Sequence, residues 1–416
     1  MLRRNIEDRV RAALSDTPIV LLNGARQTGK TTLVRAIASE TGHAYLTFDD
    51  VSTAAAAGSD PSGFIQSLKG KVVLDEVQKV PQLFPAIKIA VDRDRQPGRF
   101  LLTGSANVMT LPKLSESLVG RLEVITLYPF SAGELAGKKE RFLPGLFSGT
   151  INEAGGVARA SIDVEEAEDI GARLVRGGYP EATRRPSDDR RSAWFASYVS
   201  TLLQRDVREL ARVDALHSLP NLLCLLAART SGLLNIADVS RDASLPHTSA
   251  TRYLALLESL FLLERLPAWS PNLGKRLVKA PKLHLADTGL ACHLLGVDVP
   301  RITTDRQILG RLLETFVVGE LRKQISFGGQ AVRMHHLRAA AGAEVDVVLE
   351  RADGALVALE VKAGASVGAS DFSAMRQLRD RLGPRFRLGV VLCLGEQALP
   401  FGERLWSAPV SALWEG

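Results

Sequence analysis

The segment Gly24-Ala-Arg-Gln-Thr-Gly29-Lys30-Thr31 constrains this chain more than any other. It is a full G-x-x-x-x-G-K-[ST] match set between an apolar run at 18–23 and a helical pattern at 31–38. Gly24 and Gly29 let the backbone turn so that N–H groups converge on phosphate oxygens, and the following helix adds the partial positive charge of its N-terminus. The stretch Gly24 to Thr32, including Ala25, Arg26, Gln27 and Thr28, is therefore read as a triphosphate cradle. Lys30 reaches the β- and γ-phosphates as a point charge, and the Thr31 hydroxyl ligates Mg2+. A chance glycine-rich turn would not sit between a strand and a helix with every motif position matched.

The surrounding pattern agrees with an α/β fold. Short apolar runs at 18–23, 44–48, 71–74, 99–103 and 123–128 alternate with helical spacing, and each is nearly continuous, as strands covered on both faces are. The third run, Val72-Val-Leu-Asp75-Glu76, places acids at the C-terminal edge of a buried strand, where ligands of open α/β sheets bind. Asp75 is expected to hold Mg2+ through water, and Glu76 to act as the base that orients the attacking water. Thr103 ends the next strand in Thr103-Gly-Ser105-Ala-Asn107, where a polar residue senses the γ-phosphate or simply starts a turn. Arg121 has two readings of equal weight, an arginine finger on a neighbouring subunit of a homo-oligomer or an ordinary surface arginine.

Length and composition set the rest of the organisation. A chain of 416 residues implies about two to four domains. The reading divides it into an ATPase core at 1–165 (with 136–165 as a Gly/Ala-rich linker), a basic helical segment at 166–212, a winged-helix-like module at 213–275 and a C-terminal domain at 276–416. Nine arginines against five acids at 170–212, and seven basic residues against three acids at 301–338, suit a phosphate-bearing partner or a solvated face. Three helical patterns at 219–228, 234–243 and from Pro246 onward, then a β-like run at 261–266, suit a winged helix-turn-helix. Thr248, Ser249 and Arg252 would open its DNA-recognition helix, unless the triplet serves only packing. The net charge of +6 is mild. Cys224, Cys292 and Cys393 are scattered, which argues against a disulfide framework or a zinc site and for a reducing compartment. No apolar run approaches the roughly 20 residues that cross a bilayer, so a soluble cytoplasmic protein without a membrane partner is expected.

Five segments carry a resemblance: Gly24-Ala-Arg-Gln-x-Gly-Lys-Thr-Thr32, Leu74-Asp-Glu-Val-Gln78, Leu102-Thr-Gly-Ser-Ala106, Leu118-x-Gly-Arg121 and Tyr128-Pro-Phe-Ser-x-x-Glu134. Together they resemble the AAA-type ATPases of bacteria and archaea whose C-terminal domain is catalogued only as of unknown function. Lys282-Leu-His-Leu-Ala-Asp287-Thr-Gly-Leu290 and Leu313-Glu314 with Glu320-Leu321 resemble that C-terminal domain. The resemblance implies an additional-strand P-loop parallel sheet in which the Asp75 strand is not adjacent to the strand before Lys30. An Asn-Lys-x-Asp guanine-reading element is not seen, so ATP is expected rather than GTP.

The C-terminal order reads helix 307–324, strands 330–336, 344–350 and 355–362, helix 372–382, strand 386–394. This αβββαβ order resembles the restriction-endonuclease-like fold, whose metal ligands would correspond here to Asp346, to Glu360 of Glu360-Val-Lys362, and to Glu314 or Glu320 on the preceding helix. Strand period two puts Glu360 and Lys362 on one face, with Glu344 beside Asp346 as a further ligand. Two carboxylates would hold Mg2+ while Lys362 positions a water, although a three-residue pattern recurs often by chance. The sequence thus predicts an Mg2+-dependent ATPase that couples hydrolysis to DNA or to a protein partner through its C-terminal domains. The alternatives are an ATP-dependent nuclease, a nucleotide-switched scaffold with an inert nuclease fold, and a small-molecule kinase, which the helix-turn-helix region disfavours.

Overall fold

Strands covered on both faces need helices on each side, and that is the layering of the first compact unit, Arg3–Phe130 with Ser259–Phe261. The computed structural model describes residues 2–105, 118–148, 170–210, 218–329, 331–338 and 344–415. The five apolar runs form β1 (Ile19–Asn23), β2 (Ala44–Thr47), β3 (Val72–Asp75), β4 (Phe100–Gly104) and β5 (Leu122–Thr126). They pair in parallel in the order β2-β3-β4-β1-β5. One strand, β4, therefore separates β3 from β1, as the resemblance implies. The interior strands β1, β3 and β4 are buried at every position, whereas the edge strands β2 and β5 are only partly covered. Ile19, Leu21, Leu74 and Leu102 of the sheet pack with Phe84 and Ile87 of helix Leu83–Arg93 in one apolar layer. This rigid floor presents the C-terminal ends of β1, β3 and β4 at one edge.

The second unit comprises Ser131–Glu258 and Leu262–Gly416. Its first residues depart from the expected linker at 136–165. A helix runs over Phe142–Ser148 and buries Phe142, Leu143, Leu146 and Phe147. Pro144 and Gly145 read as breakers, but a proline in the first turn removes no intrahelical donor, and four buried apolar side chains decide the matter. The remainder of that stretch, from 149 to 169, lies outside the described residues. A 23-residue helix, Asp188–Leu210, follows. Then come helices Leu219–Ala228, Ile236–Asp242 and His247–Ser259, with Leu222, Leu226, Val239, Tyr253 and Leu257 buried among them. Asn235 caps the middle helix by accepting from the Ala237 and Asp238 amides.

Behind these helices, β6 (Leu263–Leu266) pairs antiparallel with β7 (Lys282–Leu285), with Leu266 opposite Lys282. The ribbon joins residues that the sequence reading divides at 275/276. The C-terminal part opens with the 22-residue helix Arg306–Phe327. A sheet follows of β8 (Val332–Arg338), β9 (Glu344–Arg351), β10 (Leu356–Val361), β11 (Phe386–Cys393), β12 (Leu399–Pro400) and β13 (Leu405–Pro409). Its order is β12-β13-β11-β10-β9-β8. β8, β9 and β10 pair antiparallel, while β10, β11 and β13 run parallel, with helix Ser373–Leu382 on the crossover between β10 and β11. The last two strands extend the expected order. No described helix is long and apolar enough to cross a membrane.

Candidate functional site

The nucleotide cradle follows from where β1 must stop. At Gly24 the chain turns with φ 149°, and a Cβ there would lie 2.2 Å from the Leu127 carbonyl oxygen, so only glycine fits. Gly29, at φ 94°, supplies the left-handed residue from which helix Lys30–Thr41 starts. Between them Thr28 is fully buried, its hydroxyl donating to the Ala25 carbonyl at 2.9 Å. The Lys30 ammonium lies within the loop and donates to the carbonyls of Gly24 and Ala25 at 2.8 and 2.7 Å. Gln27 and Thr32 are exposed, and Arg26 is half-buried. A clasp not foreseen in the sequence holds the loop from outside. Buried Arg4 donates to the Thr28 carbonyl and to the Tyr128 carbonyl, both at 2.7 Å, with its guanidinium 4.6 Å from the centre of the Phe130 ring.

Asp75 closes β3 beside that loop and is buried. Its carboxylate accepts from the Thr31 hydroxyl at 3.0 and 3.2 Å, from Thr103 at 2.5 Å and from the Tyr45 hydroxyl at 2.7 Å. All these donors are neutral, so the negative charge stays available to a cation. Two hard oxygen ligands facing a phosphate cradle are what Mg2+ takes from a protein, so Thr31 and Asp75 fit that ion. Burial first, and then Asp75, raise the Tyr45 phenol above its ordinary range, so it stays a donor. Thr103 also accepts from the Glu76 amide at 2.9 Å. Glu76 holds φ at 60°, a conformation costing a non-glycine residue about 1–3 kcal/mol. Its carboxylate accepts from Ser105 at 3.0 Å and from the Gln78 side chain, and Gln78 also donates to Ser105 at 2.8 Å. A strained backbone braced from three sides aims one carboxylate along the strand edge. Tyr45 carried no sequence signal, because it acts through a neighbour, and Gln78 entered only as the last residue of the Leu74–Gln78 resemblance, with no role assigned to it. Asn107 lies outside the described residues.

Arg121 does not join this group. It precedes β5, whose first residue pairs with Ile19 at the start of β1, so it lies at the opposite edge, about one strand length (~16 Å) from the loop. There it pairs with Asp92, whose carboxyl it holds below the usual range, and donates to the Val119 carbonyl at 3.0 Å. Arg121 therefore stands away from the loop of its own chain.

In the second unit Thr248 and Arg252 are exposed and Ser249 half-buried at the start of helix His247–Ser259. The basic segment is less free than its composition suggests. Arg184 and Arg185 pair with Glu181, Arg191 with Asp188, and Arg173 stacks over Trp414. Arg212 and the side chains of Arg205 and Arg208 lie outside the described residues.

The C-terminal acids come together around an unexpected partner. The Lys282 ammonium sits 2.8 Å from Glu314, 2.8 Å from Asp346 and 3.2 Å from Glu344. Burial works to lower the pKa of Lys282, but Asp346 and Glu314 outweigh it and hold the ammonium charged beyond the ordinary lysine range. Burial, then Asp346, pushes Glu314 up to about 8, and the same two causes push Glu360 up to about 7. Lys362 pairs with Glu360 at 3.0 Å. Glu320 is not part of the group. It accepts from the Ala132 amide at 2.8 Å and from Lys323 at 2.7 Å, a structural role. Among the described residues no cluster of three or more His, Cys, Asp or Glu side chains is arranged to hold a metal ion. The expected divalent site thus does not fit the side chains present, because an ammonium stands among the ligands.

Comparison with known proteins matches these parts to families. A model described as an AAA domain matches residues 16–136, and two domains of unknown function, DUF8612 and DUF4143, match 167–301 and 309–413. The uncharacterized proteins Rv2008c of Mycobacterium tuberculosis and Mb2031c of Mycobacterium bovis are each 30% identical over 415 residues, covering 99% of this chain and 84% of theirs. Among solved structures, the Walker-type ATPase PABY2304 of Pyrococcus abyssi is 19% identical with a TM-score of 0.44, covering 71% of this chain and 96% of that one. The RuvB Holliday junction branch migration motor of Thermotoga maritima is 17% identical with a TM-score of 0.29, covering 63% and 89%.

Proposed function

The chain belongs to the family of these two mycobacterial proteins, with an AAA-type P-loop ATPase domain at its start, and from that premise we propose that it is an Mg2+-dependent ATP hydrolase. One observation carries the reading: the Gly24–Thr32 cradle stands beside a buried Asp75 whose donors are all neutral, with Glu76 braced next to it. Amides of the cradle and the N-terminus of helix Lys30–Thr41 bind the β-phosphate, and Lys30 turns from its loop carbonyls to the β/γ oxygens. Thr31 and Asp75 hold the metal, which when bound neutralises charge developing on the transferred phosphoryl group. Glu76 accepts hydrogen bonds from Ser105 and Gln78 through one oxygen, leaving the other to orient a water towards the γ-phosphate. Thr103 ties Asp75 and Glu76 together and so couples the metal to the base.

The deciding experiment measures ATP binding and phosphate release by the full chain with Mg2+. Wild type binds and turns over ATP. Glu76→Gln keeps binding while turnover falls about 10²- to 10⁴-fold, the usual share of a positioned base. No affinity of wild type for ATP in excess Mg2+ would end the proposal.

Coupling to DNA is a second reading, supported by exposed Thr248 and Arg252 opening a helix of a three-helix-plus-ribbon module, the order of a winged helix. It predicts salt-dependent DNA retention that weakens in Arg252→Ala, and ATP turnover that rises with DNA. A turnover rate indifferent to DNA leaves the protein-partner scaffold in its place. Arg121, being remote from its own cradle, serves the reaction only from a neighbouring subunit of a homo-oligomer.

A further inference from the structure

We propose that Lys282 is the resident cation of the C-terminal carboxylate cluster, so that the domain carrying Asp346, Glu360 and Lys362 is closed to divalent metal and is not a metal-dependent nuclease in this fold. The inference is independent of ATP hydrolysis at the P-loop.

Lys282 donates to Glu314 and to Asp346 at 2.8 Å each, with Glu344 beside them as an ion-pair neighbour at 3.2 Å. An ammonium has three N–H groups and no acceptor, and Lys282 has three carboxylate neighbours, Glu314 on the Arg306–Phe327 helix and Glu344 and Asp346 on β9. Lys282 is 4% exposed, Asp346 11% and Glu314 12%, so these three are nearly dry and depend on one another, while Glu344, 39% exposed, stands at the solvent side. A divalent ion would take oxygen ligands at about 2.0–2.6 Å, in the space where the ammonium now stands at 2.8 Å from two of them. An ion held between Glu314 and Asp346 and the ammonium cannot both be present, since the second positive charge would meet the first at contact distance. The remaining oxygen of Asp346 is also committed, accepting from the Val361 amide at 2.9 Å. Lys362, the residue expected to handle water, is instead held by Glu360.

The lysine is not a loose side chain that could swing away at little cost. Its backbone lies in the ribbon opposite Leu266 and is bridged on the other side by Leu233. Withdrawal of the ammonium into solvent would leave buried Asp346 without its counter-charge and Glu314 without its donor, which is strongly unfavourable. The cluster is thus neutralised by the chain itself, from a ribbon distant in sequence from the acids.

The test uses the full chain without nucleotide and Mn2+ as probe, with free Mn2+ read by its paramagnetic resonance signal. Wild type and Asp346→Asn should bind Mn2+ alike, because no binding depends on Asp346. Lys282→Ala should gain one equivalent bound at least about tenfold more tightly, and the gain should vanish in Lys282→Ala/Asp346→Asn. Mn2+ should also raise the melting temperature of Lys282→Ala and not that of wild type, the signature of ligand binding to a folded state. Binding by wild type that Asp346→Asn removes would overturn the proposal. So would a folded Lys282→Ala protein with no gain in Mn2+. Should Lys282→Ala not fold, the wild-type comparison still decides, joined by plasmid nicking: Mg2+- or Mn2+-dependent nicking by wild type that Lys362→Ala abolishes would refute the closed site.

Discussion

The Arg4 clasp gives the sharpest prediction, because its effect is local and its size can be worked out. Replacing Arg4 with alanine removes two hydrogen bonds of 2.7 Å from a charged donor to the Thr28 and Tyr128 carbonyls. Hydrogen bonds to a charged group contribute about 1.5–3 kcal/mol each. The two sum to about 3–6 kcal/mol; truncation lets water reach both carbonyls and recovers about a third of that, leaving about 2–4 kcal/mol, with the stacking on Phe130 lost besides. Thr28 stands two residues before Lys30, so the loss falls on the ordered form of the cradle. An ATP affinity about 30- to 1,000-fold weaker follows if only the ordered loop binds. Arg4→Lys should recover part of this, since one ammonium cannot span both carbonyls as a planar fork does. The assay is equilibrium titration with a fluorescent ATP analogue, beside far-UV spectra to show that the sheet is intact. Affinity within threefold of wild type in Arg4→Ala would refute the claim that this guanidinium orders the loop.

Three further outcomes follow from geometry elsewhere. Tyr45→Phe deletes a donor to Asp75 but no ligand, so the Mg2+ concentration needed for half-maximal turnover should rise about tenfold while nucleotide affinity without metal stays constant. Arg121→Ala should leave ATP affinity unchanged, and turnover should fall only at protein concentrations where subunits assemble, as a dilution series would reveal. Glu314 titrates near 8 in the fold against an ordinary 4.5, so the folded state holds the extra proton. That contribution is complete below about pH 4.5 and lost as pH rises through about 8, and wild type should lose melting temperature across this window more steeply than Glu314→Gln.

Much of the first unit was legible because its signals are local. The cradle, its flanking strand and helix, and the acids ending β3 each lie within a few consecutive residues, where strand period and turn chemistry speak directly. The helix at Phe142–Ser148 was missed for the converse reason, since Pro144 and Gly145 outweigh four apolar side chains until their burial is known. The positioning residues were illegible in principle. Arg4 meets carbonyls 24 and 124 residues away, and Tyr45 meets Asp75 across 30. The C-terminal acids were found by strand register, yet the ion among them was not, since Lys282 lies 32 residues before Glu314 and 64 before Asp346, on a strand paired elsewhere.

The Asp75 and Asp346 centres solve the same electrostatic problem in opposite ways, and the difference separates their chemistry. A buried carboxylate must be satisfied, and hydrogen bonds from neutral groups do so without cancelling its charge, whereas an ammonium cancels it. Asp75 is surrounded by the hydroxyls of Thr31, Tyr45 and Thr103, so its full charge is directed at whatever cation accompanies a triphosphate. Asp346 has an ammonium at 2.8 Å and a backbone amide on its other oxygen, so little field remains to attract a second cation. Acids in register are therefore not enough to identify a metal site; the charge of their nearest donors decides. By that criterion the P-loop unit is built to bind and release a metal nucleotide, and the C-terminal cluster to tie ribbon, helix and sheet together. Exchanging the criterion between sites is the direct check: a Tyr45→Lys substitution, which brings an ammonium to Asp75, should weaken Mg2+-dependent turnover far more than Tyr45→Phe does. Equal losses in the two variants would show that donor charge is not what distinguishes the centres.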